Sequence, residues 1–129
     1  MVSRSARGFT LIELLIAMAL MFVALVGMLA LQIIALRANG QARSITEATV
    51  LAQDKLETLE HTPFALLSST GSVVEPQLGP QGTGVPNGAY TRTTTTTRGA
   101  TQATIAVRVG WTGADGRAHA ITVNTLRTP

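Results

Sequence analysis

The chain has 129 residues, of which 46% are hydrophobic and 13% are charged, and it has no cysteine. This length leaves room for one small domain and excludes a multidomain enzyme. The missing cysteines exclude a disulfide framework, a thiolate metal site and a thiol nucleophile. The formal net charge is +3, but without Arg4 and Arg7 the chain has eight basic and seven acidic residues. Bulk charge therefore gives no argument for a nucleic-acid partner.

The N-terminal region combines a short basic head, residues 1–8, with a long apolar run. Residues 14–36 are 23 residues without a charge. At about 1.5 Å per residue they would form a helix of about 34 Å, enough to cross a hydrocarbon core of about 30 Å. The run is longer than the apolar region of an ordinary secretory signal, about 7–15 residues. Arg4 and Arg7 favour a cytoplasmic N-terminus, with the C-terminal part on the other side of the membrane.

The helical pattern continues beyond Arg37 with one apolar face. Its members follow one another at intervals of three or four residues, as in an amphipathic helix; they are Ile45, Ala48, Ala52, Leu56 and Leu59. Pro63 ends the pattern, because proline disfavours helical geometry in the preceding residue and has no backbone donor. We predict one helix over residues 10–61, apolar all round in its first half and amphipathic in its second.

The C-terminal half is predicted to contain a loop and then an antiparallel sheet. Residues 71–88 include five glycines and three prolines and predict an irregular loop. The threonine-rich stretch 90–97 predicts an exposed strand, because threonine is β-branched. Apolar residues alternate with other residues over 104–111, and the alternation resumes at Ile121 and Val123, which predicts two further strands.

The last two strands are predicted to form a hairpin of defined register. A three-residue turn, Ala114-Asp115-Gly116, with Gly116 in the left-handed position, sets odd-numbered residues opposite odd-numbered ones. A two-residue Asp115-Gly116 turn would instead set Trp111 against Ala120. The three-residue turn is the one that keeps the two apolar faces together.

The segment at the entrance to the apolar helix carries a specific motif. Arg7-Gly8-Phe9-Thr10-Leu11-Ile12-Glu13-Leu14-Leu15-Ile16-Ala17 closely resembles the class III signal of type IV prepilins and type II secretion pseudopilins. The resemblance covers about the first 30 residues. It implies that a membrane peptidase cleaves after Gly8 and N-methylates Phe9. It also implies that Glu13 pairs with the N-terminal amine of a neighbouring subunit during assembly.

The resemblance implies a pilin-like α+β fold, in which a long N-terminal helix packs on a small antiparallel β-sheet. Its parts would be a leader peptide (1–8), a transmembrane and filament-core helix (9–36), the amphipathic second half of the helix (37–62), and a variable loop with a sheet domain (63–129). Residues 48–59 look like the helix end of V-type minor pilins and I-type minor pseudopilins. The lack of cysteine, of a proline in the first half of the helix and of a calcium loop favours a minor, tip or initiator subunit.

The function that follows from the resemblance is that of a structural minor pilin of a type IV pilus, which primes assembly or supports adhesion or motility. The alternatives are an I-type minor pseudopilin of a type II secretion system and a membrane-tethered pilin for DNA binding or uptake. The implied partners are other pilins, prepilin peptidase and an inner-membrane assembly platform. The subunit would reside in a bacterial inner membrane with its C-terminal domain in the periplasm, and then in a pilus or a periplasmic pseudopilus.

Other candidate sites are weaker. Glu57 and His61 stand four apart, as metal ligands can, but no further ligand lies near them in the sequence, so a solvated contact is preferred. No motif frames a nucleophile with a His and an acid, so we predict no enzyme activity, no metal and no cofactor. Residues 89–129 contain five arginines and one acidic residue, Asp115; the arginines are Arg92, Arg98, Arg108, Arg117 and Arg127. This basic set permits contact with DNA, but a solvated or partner-facing strand surface is preferred because stacking aromatics are few.

Overall fold

A computed structural model describes residues 9–129. The predicted cleavage position, Gly8, and the leader before it lie outside the described residues. Helix α1 runs over Leu11–Glu60 and has 50 residues, which confirms the long helix predicted over 10–61. The chain divides into two compact units between Ala38 and Asn39.

The first unit holds the apolar half of α1. Every side chain from Phe9 to Ala38 is exposed. An 18-residue window of α1 has a mean hydropathy of 2.8, and none of it is buried. By length and composition, this helix can therefore cross a membrane.

In the second unit, the amphipathic half of α1 contributes one face to a core. Its buried residues are Ala48, Leu51, Ala52 and Leu56, and Leu59 packs against them. The apolar pattern was wrong at Ile45, which is 42% exposed, and it missed Leu51, which is 1% exposed. The reason is that periodicity predicts which side of the helix is apolar, but it does not predict at which residue the sheet begins to pack on that side.

The helix ends at Glu60, as Pro63 predicts, and a short 3₁₀ helix follows over Phe64–Leu66. The strands are β1 (Thr70–Leu78), β2 (Tyr90–Arg98), β3 (Ala103–Thr112) and β4 (Ala118–Arg127). They form one antiparallel sheet in the order β1-β2-β3-β4. This arrangement of one long helix and a four-stranded antiparallel sheet confirms the pilin-like α+β fold.

The predicted loop over 71–88 is wrong in its first part, where β1 forms. Pro76 has no register partner, because it lies in an irregularity between Glu75 and Leu78. Gln77 has a φ of 56° there. A strand at the edge of a sheet tolerates proline and bulges, which a central strand does not. The sheet therefore begins at Thr70, before the first predicted strand over 90–97.

The prediction of an exposed threonine-rich strand is right about the strand and wrong about its exposure. Strand β2 lies between β1 and β3, and its even-numbered residues from Tyr90 to Thr96 are buried on the helix side of the sheet. These include Thr94 and Thr96, each 5% exposed. Strand β3 adds Ile105, Val107 and Val109, which are all fully buried.

The β3–β4 hairpin has the predicted register. The Gly113 amide donates to the Arg117 carbonyl at 2.8 Å, which leaves a three-residue turn. Gly116 has a φ of 74°, the left-handed conformation that this turn requires. Trp111 consequently pairs with His119, and both have odd numbers.

One buried hydroxyl group gives a stability prediction. The Oγ1 atom of Thr94 is buried and has no hydrogen-bond partner among residues 9–129. Because an unpaired buried hydroxyl costs about 1–3 kcal/mol, Thr94→Val should raise the free energy of unfolding by about 1 kcal/mol. Urea unfolding of the full chain in detergent, followed by the fluorescence of the single Trp, measures this change. Thr97→Val, on an exposed residue of the same strand, is the control, and destabilisation by Thr94→Val would contradict the prediction.

Candidate assembly site at the start of the helix

The start of α1 is fixed by Thr10. The Glu13 amide donates to Thr10 Oγ1 at 3.3 Å, and the Glu13 and Leu14 amides donate to the Thr10 carbonyl at 3.1 and 3.2 Å. Thr10 therefore caps the helix, and Glu13 stands three residues later, the spacing of a capping box. This signal was present in the sequence as Thr-x-x-Glu, and our sequence analysis missed it.

Glu13 lies in the first turn of α1 among apolar neighbours. Phe9, which is 85% exposed, lines a shallow open depression on the helix surface together with Glu13, Leu14 and Ala17. The partial positive charge of the helix N-terminus favours a carboxylate at this place. The structure thus brings Phe9 and Glu13 to the same patch. It also places the Glu13 carboxylate where it interacts favourably with the N-terminus of the helix.

The second unit contains an ion-pair network around Arg92, which is 5% exposed. Its Nε donates to Glu75 Oε2 at 2.8 Å and its Nη2 to Glu75 Oε1 at 3.2 Å, a bidentate geometry. Its Nη1 donates to the Leu51 carbonyl of α1 at 3.1 Å. Lys55 Nζ also donates to Glu75, at 3.2 Å. The network therefore ties together α1, β1 and β2.

These donors set the protonation of Glu75. The hydrogen bonds from Arg92 hold the pKa of the Glu75 carboxyl below its ordinary value of 4.5, with a smaller contribution from Lys55. Partial burial of the carboxyl opposes this lowering. Glu75 is thus held in its charged form, which matches two cations on the same carboxylate.

Two more arginines bind backbone carbonyls where α1 ends. Arg127 Nη1 donates to the Leu59 carbonyl at 3.0 Å and also to the Thr62 carbonyl. Arg98 Nη1 donates to the Ala65 and Leu67 carbonyls at 2.9 and 3.0 Å. The last carbonyls of a helix lack partners within the helix, and cations are favoured beside them. Arg127 therefore fastens the end of α1 to the sheet, and Arg98 fastens the 3₁₀ segment that follows α1.

These contacts correct the interpretation of the basic strands. Three of the five arginines, Arg92, Arg98 and Arg127, donate side-chain hydrogen bonds to backbone carbonyls of the chain itself. Of these, Arg92 is buried and Arg98 is still exposed. Arg108 and Arg117 are the exposed members of the set that form no side-chain hydrogen bond within residues 9–129. The basic surface on which a DNA contact would depend consequently lacks Arg92, which is buried.

The weaker candidates form pairs only. His61 Nε2 lies 3.8 Å from Glu57 Oε1, and both side chains are exposed. His119 stacks on Trp111 with ring centroids 5.6 Å apart, and its Nε2 lies 3.3 Å from Asp115 Oδ1. Within the described part of the chain, no three His, Asp or Glu side chains are grouped to hold a metal.

The N-terminal segment matches a known protein family. Residues 3–29 match the family described as the prokaryotic N-terminal methylation motif, and the match covers 27 of the 129 residues. The match supports a type IV prepilin-like protein, a pilin or pseudopilin that prepilin peptidase processes. The apolar helix with this signal is consistent with membrane anchoring. No curated protein and no solved structure matches the chain significantly.

Proposed function

We propose that the chain is a structural, non-enzymatic subunit, a minor pilin of a type IV pilus. The observation that carries the proposal is the position of Glu13 in a capped first turn of an unbroken 50-residue helix, inside the segment that matches the methylation motif. A carboxylate at the entrance of a membrane-spanning helix is costly, and by default it is functional. In a filament core made of packed helices, the same carboxylate can neutralise the amine of a neighbouring subunit.

The proposal extends to processing and location. Prepilin peptidase would cleave after Gly8 and methylate Phe9, while the helix anchors the subunit in a bacterial inner membrane with the C-terminal unit in the periplasm. Other pilins and an inner-membrane assembly platform would then take it into the filament. An initiator or tip position is supported by the absence of cysteine, which excludes the disulfide loop of many major pilins. The alternative is an I-type minor pseudopilin of a type II secretion system, which the same signal segment and the same helix would also fit.

Processing is tested by Gly8→Val. A side chain at the scissile position would intrude where the peptidase must approach the backbone, so the leader should stay attached. Intact-mass and N-terminal analysis of the protein from its native membrane measures this. Ala6→Val changes the same leader without touching the scissile bond and should be cleaved normally. A mature N-terminus at Phe9 in Gly8→Val would show that cleavage does not depend on Gly8 and that the assignment of the segment as a prepilin signal is wrong.

A further inference from the structure

The two edge strands of the sheet differ in regularity. The β1 edge is irregular, with two register shifts and Pro76 inside the strand. Strand β4 pairs with β3 in unbroken register over ten residues, from Ala118 to Arg127. It contains neither proline nor glycine, and its only Arg, Lys, Asp or Glu residue is Arg127 at its end. Natural edge strands are usually blunted by such irregularities or by charges, and β4 is not.

The register identifies the backbone groups that β4 leaves unpaired within the sheet. Gly113 and Arg117 form a hydrogen-bonded pair, and hydrogen-bonded pairs recur at every second residue of an antiparallel ladder. The odd-numbered residues of β4 therefore bond to β3. The even-numbered ones point their N–H and C=O groups outward, where no strand of residues 9–129 pairs with them; they are Ala118, Ala120, Thr122, Asn124 and Leu126.

The core is also incomplete at this edge. On the helix side of the sheet, Val107 and Val109 of β3 are fully buried. Their register partners on β4, Val123 and Ile121, are only half-buried. A further strand beside β4 would cover these two side chains and pair the outward backbone groups at the same time.

We propose that the free edge of β4 accepts an extended strand from a second, different pilin-like subunit, which adds a fifth strand to the sheet. The identity of the partner as a pilin-like subunit rests on the proposed function. The free edge itself is a feature of the structure and does not depend on that function. The incoming strand must lack proline over the paired stretch and must place apolar side chains, at every second residue, beside Ile121 and Val123.

A second copy of this chain does not fit the edge. A twofold pair of β4 strands would have its axis perpendicular to the sheet, and that axis would reverse one copy of α1 against the other. Subunits that enter one membrane by the same helix share one direction. The remaining free edge of a copy, β1, is broken by Pro76 and the two register shifts. The partner is therefore a chain of different sequence.

The test uses the full-length protein in its native membrane, with the photo-reactive amino acid p-benzoylphenylalanine at Asn124, an exposed residue of β4. We expect a cross-link to a strand of another chain that carries an N-terminal methylation motif, identified by mass spectrometry of the joined peptides. Adding Thr122→Pro removes one outward N–H without breaking the bonds to β3, and it should lower the cross-link yield by about tenfold. Thr122→Val keeps that N–H and should leave the yield unchanged.

Three results would overturn the proposal: equal yields for Thr122→Pro and Thr122→Val, a product made of two copies of this chain, or no product. If Thr122→Pro alters the fluorescence of the folded protein, the substitution has disturbed the fold, and hydrogen exchange of the backbone amides in the parent protein then tests the proposal. Even-numbered β4 amides should exchange fast in the detergent-solubilised monomer and at least about tenfold more slowly in the membrane assembly, and unchanged exchange rejects the proposal. Normal cleavage after Gly8 without protection at β4 would reject the edge site alone, whereas a retained leader would reject the proposed function.

Discussion

Glu13→Gln should be inserted and cleaved like the parent protein but should be absent from filaments. The Thr10 cap accepts from the backbone amide of residue 13, and glutamine and glutamate are both compatible with that position of a helix start, so the substitution removes charge and spares the cap. In the proposed filament, the amine of Phe9 would lose the carboxylate that neutralises it. An uncompensated charge in apolar surroundings costs about 3–5 kcal/mol, which corresponds to at least a hundredfold loss of incorporation.

The measurement counts the variant in sheared filaments beside unmutated partner subunits, and intact mass reports cleavage and methylation in the same cells. Glu57→Gln, on a glutamate whose side chain is 75% exposed, is the matched control and should be incorporated normally. Incorporation of Glu13→Gln at the parent level would remove the pairing role. Glu13 would then serve only as a recognition residue for the peptidase or have no role in assembly.

Arg92→Met should destabilise the C-terminal unit strongly. It deprives Glu75 of its bidentate partner and leaves the Leu51 carbonyl without the donor that Arg92 supplies. Removal of one partner from a buried ion pair costs about 3–5 kcal/mol, and the partial exposure of Glu75 and its bond to Lys55 reduce this to about 3 kcal/mol. Urea unfolding of the full chain in detergent, followed by Trp111 fluorescence, measures the loss.

Arg108→Met is the control, because Arg108 is an exposed arginine on the neighbouring strand β3; it should change stability by less than about 0.5 kcal/mol. The double variant Glu75→Gln/Arg92→Met should lose less stability than the two single variants together, since both act on one network. A loss below about 1 kcal/mol for Arg92→Met would show that the network contributes little beyond packing.

The features that were predictable from the sequence are those that neighbouring residues determine. The helix follows from an uncharged run, an apolar stripe and Pro63, and the last hairpin follows from the pairing of two apolar faces through Gly116. The methylation signal is likewise a contiguous segment. The structure does not describe Gly8, so the predicted cleavage position stays a prediction.

The features that were missed depend on partners distant in the sequence. A strand with Pro76 could be accepted only once its place at the edge of the sheet was known. Arg92 and Arg98 look like surface charges until Glu75 and the helix-end carbonyls are brought beside them. The part of α1 that is buried against the sheet begins at Ala48 instead of Ile45. Where the sheet begins along the helix depends on tertiary packing, which the periodicity of the sequence does not predict.

The contact of Arg127 with the end of α1 also sets an order of events in folding. Its hydrogen bonds join residues that are 68 and 65 positions apart, with the whole sheet between them. The hairpins between neighbouring strands can close locally, but contacts of such long sequence separation form only after the intervening chain is in place. Since a polypeptide emerges from its N-terminus, the helix end stays without this partner until Arg127 is available. The C-terminal unit therefore completes its fold only after Arg127 is available, and a chain truncated before Arg127 would lose both hydrogen bonds to the end of the helix region.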